Sequence, residues 1–321
     1  MLNVRGVSYL VGDASEDAVR RDLRDIAREL RCTTVMLIGP DTARLVAVGR
    51  LALDAGLDVY LRPHSAELPR ALLLARLDEL ARRAEELRVR HPGRVTLMVG
   101  GEFSHTVPGI VPGPWSFVRL RVVLRFRRLL RRRVERRLND LLAAAAATAR
   151  RRFHGPLTYA AAGWESPDWS PFDLVGVNLY RSAGNRDDYV PRLRELVRSH
   201  EKPLVITEFG CGAFTGADAR GAGSFQIVNW YATTPSIRRA HPRDESVQAR
   251  YLGELIALYA AEAVHGCFVF TYAMPDFPHR DDPATDLDRA GFGLVAVTET
   301  GERRPKAAFH EVARRYGARD G

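Results

Sequence analysis

The sequence predicts an α/β fold: a (β/α)8 barrel built as a single domain over residues 1–321. Three observations predict it. Short apolar, β-branched runs alternate with longer segments of helical period, which is the pattern of parallel strands joined by crossover helices. The runs number eight. The turn after the first run reads YLVGDAS, with no GxGxxG, and no Walker A loop occurs anywhere, so the phosphate-binding turn common in open doubly wound sheets is missing. A chain of this length suits one barrel with insertions.

The eight strands are expected at Val4–Leu10, Thr33–Ile38, Asp58–Leu61, Val95–Gly100, Leu157–Ala161, Leu174–Leu179, Leu204–Thr207 and Cys267–Tyr272. They are apolar almost throughout, as strands buried on both faces are. Val19, Leu23, Ile26 and Leu30 share one face of the first helix. The second helix spans about Thr42–Ala55, with Gly56 free to take the left-handed position that ends it. Further helices are expected near Leu68–Arg90, Phe117–Arg152, Pro191–His200, Glu245–Val264 and Pro305–Tyr316. The segment ESPDWSPF, between the fifth and sixth strands, is too short and proline-rich for a full helix. Extended βα loops follow strands 4, 7 and 8. The one at Phe209–Pro242 is glycine-rich and is expected to cover the pocket.

The net charge is +9, and all the basic residues but Lys202 and Lys306 are arginines. The arginines concentrate in RLRVVLRFRRLLRRRVERRLND, where Val118, Val122, Leu129 and Leu138 recur at helical spacing. The basic helix 119–137 could meet nucleic acid or an anionic membrane. The reading preferred is an outer helix with a solvated arginine face, which disfavours a nucleic-acid partner. Cys32, Cys211 and Cys267 include no CxxC pair and are expected to be buried, reduced thiols. No signal peptide or membrane span is expected, and cytoplasmic residence follows.

A barrel carries its chemistry at the C-terminal ends of its strands. The fourth strand ends in VGGEFS and the seventh in ITEFG, which places Glu102 and Glu208 at the mouth. Two carboxylates there suit retaining hydrolysis of a glycoside. One attacks the anomeric carbon; the other protonates the leaving oxygen and then deprotonates water. The two jobs need different environments. Around them the strand ends supply Arg62, His64, Trp164, Glu165, Asn178, Tyr180 and Tyr272, and the loop after strand 7 supplies Trp230. Tyr180 and Arg62 are candidate donors to Glu208; Asn178, Trp164 and Tyr272 are candidate linings of a sugar site. Glu165 is a rival acid or a structural cap for the PDWSPF segment. After strand 8, Asp276, His279, Asp281, Asp282, Asp286 and Asp288 form an acid-rich loop. It lacks EF-hand spacing and there is no HExxH, so no metal and no cofactor is expected. The partner expected is a carbohydrate or a glycosylated small molecule.

This pattern resembles the clan A glycoside hydrolases, barrels with the acid/base on the fourth strand and the nucleophile on the seventh. ITEFG is similar to that clan's nucleophile segment. The resemblance implies that Glu208 is the nucleophile and Glu102 the acid/base. The sequence departs from the clan in two places. Gly101 stands where the clan usually has an asparagine that binds the sugar 2-hydroxyl, and the second strand ends in LIGP, without the clan's arginine. The chain is also similar to a group of actinobacterial proteins labelled as abortive-infection or phage-resistance proteins, through GVSYLVG, GIVPG, TYAAAGWESPDWSPFDLVGVNLYR, ITEFGCGAFTGA and FTYAMPDFPHRDDP. Two alternatives stand beside the hydrolase: a catalytically inactive barrel that binds a carbohydrate or a protein partner in phage defence or regulation, which the missing 2-hydroxyl ligands favour, and a nucleic-acid-associated defence protein through the basic helix 119–137.

Overall fold

The computed structural model describes residues 2–238 and 241–318. Its main sheet has eight parallel strands: β1 (Val4–Leu10), β2 (Thr34–Gly39), β3 (Asp58–Pro63), β4 (Val95–Gly101), β5 (Leu157–Ala160), β6 (Val175–Asn178), β7 (Leu204–Phe209) and β8 (Gly266–Val269). The order is β5-β4-β3-β2-β1-β8-β7-β6, and a parallel bridge from Ala161 to Val177 joins β5 to β6. With helices between the strands, this is the predicted (β/α)8 barrel. Every residue of β2, β5, β6, β7 and β8 is buried, which explains the continuous apolar runs.

The chain divides into two compact units. The first comprises Met1–Leu10, Arg21–Val35 and Leu179–Gly321; the second comprises Val11–Arg20 and Met36–Asn178.

In the second unit, α2 (Thr42–Asp54) starts where Asp41 accepts the Arg44 N–H at 2.8 Å, and Gly56 follows its end at φ +93°. Its Leu45, Val48, Ala52 and Leu53 are buried. α3 (Arg70–Arg90) buries Leu73, Leu77, Leu80, Ala84 and Leu87. α4 (Ser116–Arg150) spans about 50 Å. Its phase differs from expectation: Leu129 is 83% exposed, and the buried positions include Arg119, Val123, Val134 and Leu138. Leu129 follows Val122 by seven residues and so shares the face of Val118 and Val122, which is only half-buried, whereas Val123 and Val134 lie eleven residues, three turns, apart on the buried face; the non-helical residue Phe126 (φ −119°, ψ 21°) falls between them. As expected, no helix lies between β5 and β6.

In the first unit, α1 (Glu16–Arg28) contributes the buried Leu23 and Ile26, followed by Leu30. Pro191 was expected to open the next helix, but α5 (Arg186–Arg198) starts five residues earlier and contains it. A 3-10 turn, Ala183–Asn185, closed by a Ser182–Asn185 capping box, leads directly into it, and Asp187 and Asp188 stand in its first turn. Asp244 caps α6 (Glu245–Ala261), and α7 (Ala307–Gly317) closes the described chain. β8 is shorter than expected. After Val269 the backbone turns toward other partners, with Thr271 N–H bonding Phe292 O and Tyr272 N–H bonding Ser8 O. The long segment after β7 holds a helical turn (Ala217–Arg220), a 3-10 stretch (Gly221–Ile227) and a ribbon pairing Val228–Asn229 with Ser236–Ile237. Residues 239–240 of the expected covering loop lie outside the described residues. A second ribbon, Val295–Val297 with Arg303–Pro305, was not foreseen. Cys32, Cys211 and Cys267 are all buried and unbridged. No described helix is long and apolar enough to cross a membrane.

Candidate active site

Glu102 directly follows β4. Its backbone is left-handed (φ 51°, ψ 40°), a conformation that costs a non-glycine residue about 1–2 kcal/mol. Three bonds hold it there: Glu102 N–H to Ala160 O at 2.8 Å, and Thr106 Oγ1 to Glu102 O at 2.9 Å and to Gly101 O at 3.2 Å. The two preceding glycines lie close to neighbouring side chains, and Gly100 has φ +147°, a conformation that favours glycine. A Cβ on Gly100 would lie 2.3 Å from the Phe103 ring, and one on Gly101 would lie 2.4 Å from Arg62 Nη2. The Arg62 guanidinium therefore occupies the space into which a side chain at 101 would project.

The Glu102 carboxyl accepts from Asn178 Nδ2 at 3.0 Å, and His105 Nε2 lies 3.6 Å from its other oxygen. Burial pushes the Glu102 carboxyl above the usual range, while the Asn178 amide and the Arg62 charge pull it back. Burial, and then the nearby Arg62 charge, lower the His64 pKa, which favours a neutral ring. Neighbouring groups thus crowd the His64 ring enough to desolvate it although much of the residue's surface stays open to solvent, and its backbone N–H bonds Gly39 O at 2.8 Å.

Glu165 lies in this same unit and acts as a brace. It accepts from Ser104 N–H (2.8 Å), Ala162 N–H (2.9 Å) and Tyr159 Oη–H (2.9 Å), and Tyr159 Oη accepts the Phe103 N–H at 2.6 Å. It thus caps the turn Phe103–Thr106 rather than the PDWSPF segment. Burial outweighs its backbone donors and pushes the carboxyl up to about 7. Trp164 donates its indole N–H to Ser104 Oγ at 3.1 Å, and its ring lies 5.8 Å from that of His105. Ser104, His105 and Tyr159 were not singled out from the sequence; the i, i+3 spacing of Glu102 and His105 was the available signal.

Arg119, inside the basic run, is fully buried and fastens this loop. It donates to the carbonyls of His105 (2.7 Å), Thr106 (3.1 Å), Gly113 (3.2 Å) and Pro114 (3.2 Å), and to Glu67 Oε2 (2.7 Å).

In the other unit, Glu208 is the fifth residue of β7 and is 9% exposed. Tyr180 Oη donates to its Oε2 at 3.0 Å. Tyr180 is held in turn by Asn185 Nδ2, which bonds its carbonyl at 2.9 Å, and by an edge-on contact with Phe292 at 6.2 Å. Phe292 meets Phe270 edge-on at 5.9 Å. These two phenylalanines were missed because their ring contacts join segments that nothing in the sequence pairs. A Cβ on Gly210 would come within 2.6 Å of Phe270 O, so the chain after Glu208 also requires glycine.

Of the expected sugar contacts, Tyr272 is 1% exposed and directs its hydroxyl toward Asp25 at 3.4 Å. Trp230 is 46% exposed and meets Phe277 edge-on at 5.5 Å. In the acid-rich loop His279, Asp286 and Asp288 come together closely enough to be considered as metal ligands. Their carboxylates already face Arg243 (3.1 and 2.9 Å), Arg289 (3.1 Å) and Lys306 (3.3 Å). The cluster therefore has its cations in place and does not fit a divalent ion.

No family model and no curated protein matches the chain. Solved structures do. A GH113 β-1,4-mannanase aligns at TM-score 0.67 and 14% identity, covering 99% of this chain and all of the other. The GH113 β-mannanase AaManA from Alicyclobacillus acidocaldarius aligns at 0.64 and 18% identity, over 98% and 97%. A β-glucuronidase from Ruminococcus gnavus aligns at 0.62 and 14% identity, with 98% of this chain on 50% of that one. At these identities the likeness establishes the fold.

Proposed function

We propose that the protein hydrolyses a β-glycosidic bond with retention, with Glu208 as nucleophile and Glu102 as general acid/base, residues 1–321 acting as one domain. The observation that carries the reading is the contrast between the two glutamates. Glu102 is desolvated, and its carboxyl is pushed toward the protonated form that a general acid needs. Glu208, at the end of β7, receives a hydroxyl donor that orients it. Retention further requires the two carboxyls about 5–5.5 Å apart. The fold neighbours are named as hydrolases of β-mannan and β-glucuronides, in keeping with this class of bond.

In this reading Glu102 gives its proton to the departing oxygen while Glu208 forms an ester to the anomeric carbon. Glu102, now ionised, takes a proton from water as the water cleaves that ester. Asn178 keeps the Glu102 carboxyl in place throughout, and Trp164 offers an aromatic face. The substrate is an oligosaccharide or a glycosylated small molecule, met in the cytoplasm.

The test is labelling with activated 2-fluoro glycosides, followed by intact mass and peptide mapping. An adduct on Glu208, absent in Glu208→Gln, is expected. Conversion of a β-glycoside to the α-configured product would sink the retaining assignment. Gly101 favours a second reading, a barrel that binds sugar without turnover in a phage-defence setting, because no side chain at 101 can hold a 2-hydroxyl. That reading predicts saturable sugar binding and no hydrolysis on any glycoside bound.

A further inference from the structure

The arginine run does more than coat a helix. Immediately after the break at Phe126, Arg127, Arg128 and Arg131 line a cleft of about 270 Å³, whose wall includes Val123, Glu135 and the Trp164 ring. The charge is unbalanced. Arg131 reaches Glu135 only at 3.9 Å, with both side chains well exposed (78% and 44%), and such a pair is worth little. Arg127 and Arg128 have no carboxylate partner among the described residues. The cleft is also tied to the Glu102 segment. Trp164 is anchored by its indole N–H to Ser104, two residues past Glu102, and lies ring to ring with His105, whose Nε2 approaches the Glu102 carboxyl.

Guanidinium groups pair bidentately with carboxylate, sulfate and phosphate, and an indole face packs on an apolar sugar face. From this juxtaposition we infer that the Trp164–Arg127–Arg128–Arg131 cleft is a subsite for an anionic sugar unit, so that the glycan acted on carries carboxylate or sulfate groups. The inference takes its carbohydrate from the proposed function, but it concerns residues other than the two glutamates and stands or falls by binding.

The probes are hexasaccharides on β-1,4-glucan and β-1,4-mannan backbones, each as the neutral parent, the C6-uronate and the C6-sulfate. Binding is measured by titration calorimetry on the full chain. At least one acidic member binds about tenfold more tightly than its neutral parent, with the advantage shrinking at high salt. Which acidic form wins separates carboxylate from sulfate. R127Q/R128Q erases the advantage and leaves binding of the neutral parent unchanged. The double variant R121Q/R136Q removes the same charge from exposed positions outside the cleft and keeps the advantage. Equal losses in both double variants would reduce the effect to general attraction and overturn the subsite, as would no acidic preference on either backbone. Reducing-end release is followed on the same probes. Acidic preference without turnover retires the hydrolase and keeps the subsite; turnover of neutral glycans without acidic preference does the reverse.

Discussion

Asn178 and Glu102 are 76 positions apart in the chain, yet one amide hydrogen bond joins them. That bond and the Arg62 charge both lower a carboxyl that burial has raised. A general acid works only while protonated, so kcat/KM is expected to fall on the alkaline side as pH passes the Glu102 pKa. Asn178→Ala removes one of the lowering influences. The alkaline limb should then move up, with about a tenfold loss at the optimum. A downward shift in the pH–rate profile would contradict the assignment. Glu165 offers a stability test. Its carboxyl is near 7 when folded, against 4.5 for the free group. Between those values the folded state keeps a proton that the unfolded state releases. Stability is therefore lost as pH rises from about 4.5 to 7, by up to about 3 kcal/mol, and levels off above. Denaturant titrations at pH 5 and pH 8 should show Glu165→Gln gaining on wild type at the higher pH; parallel pH dependence in the two proteins would refute it. At this scale the sequence disclosed the two proposed catalytic glutamates, because each follows or ends a buried run. It did not disclose their helpers. Phe270, Phe292, Tyr159 and Ser104 act through contacts made only when distant segments meet.

The long basic helix α4 shows how an element can mislead. Its composition reads as a solvated face, and much of it is. Arg119 is nevertheless wholly buried, and it donates to four loop carbonyls and Glu67. Arg119→Met removes these bonds, while Thr106 O keeps the Glu67 N–H and Glu67 the Ser116 N–H, at a cost of about 3 kcal/mol. The expected result is a lower denaturation midpoint with loss of activity, since the loop carries Glu102. Arg119→Lys recovers only part, because an ammonium cannot reproduce the five-donor fork. If Arg119→Met left both stability and activity intact, the fastening role would be wrong. Periodicity failed in this helix because it carries two apolar rows, and the row of Val118, Val122 and Leu129 is not the one that Val123, Val134 and Leu138 bury. The start of α5 differs for another reason: Pro191 is a conspicuous signal, but the helix takes it in its interior and continues directly from the capped 3-10 turn Ala183–Asn185.

For the molecule as a whole, the alternation of buried runs and helices was enough to give the barrel, since strands covered on both faces leave an unbroken apolar signature. The small ribbons stayed hidden because strands of two or three residues have no period to detect. Two global measurements follow. The cluster of His279, Asp286 and Asp288 is neutralised by Arg243, Arg289 and Lys306, so a chelator should leave the thermal midpoint unchanged. A drop of several degrees would show that an ion belongs there. The three cysteines are buried, and burial pushes their thiols up, Cys267 to about 12. Thiol reagents should therefore react at the rate of unfolding and speed up with denaturant; immediate reaction of any one thiol in the native protein would be at odds with this packing.

The Arg62–Gly101 contact bears on how such a site can change over generations. An asparagine gained at 101 has to push the outer end of the Arg62 side chain aside, and loss of Arg62 removes a charge that lowers the Glu102 carboxyl. Positions 62 and 101 are thus coupled through one volume of space, and among relatives of this protein the residues at the two positions should vary together.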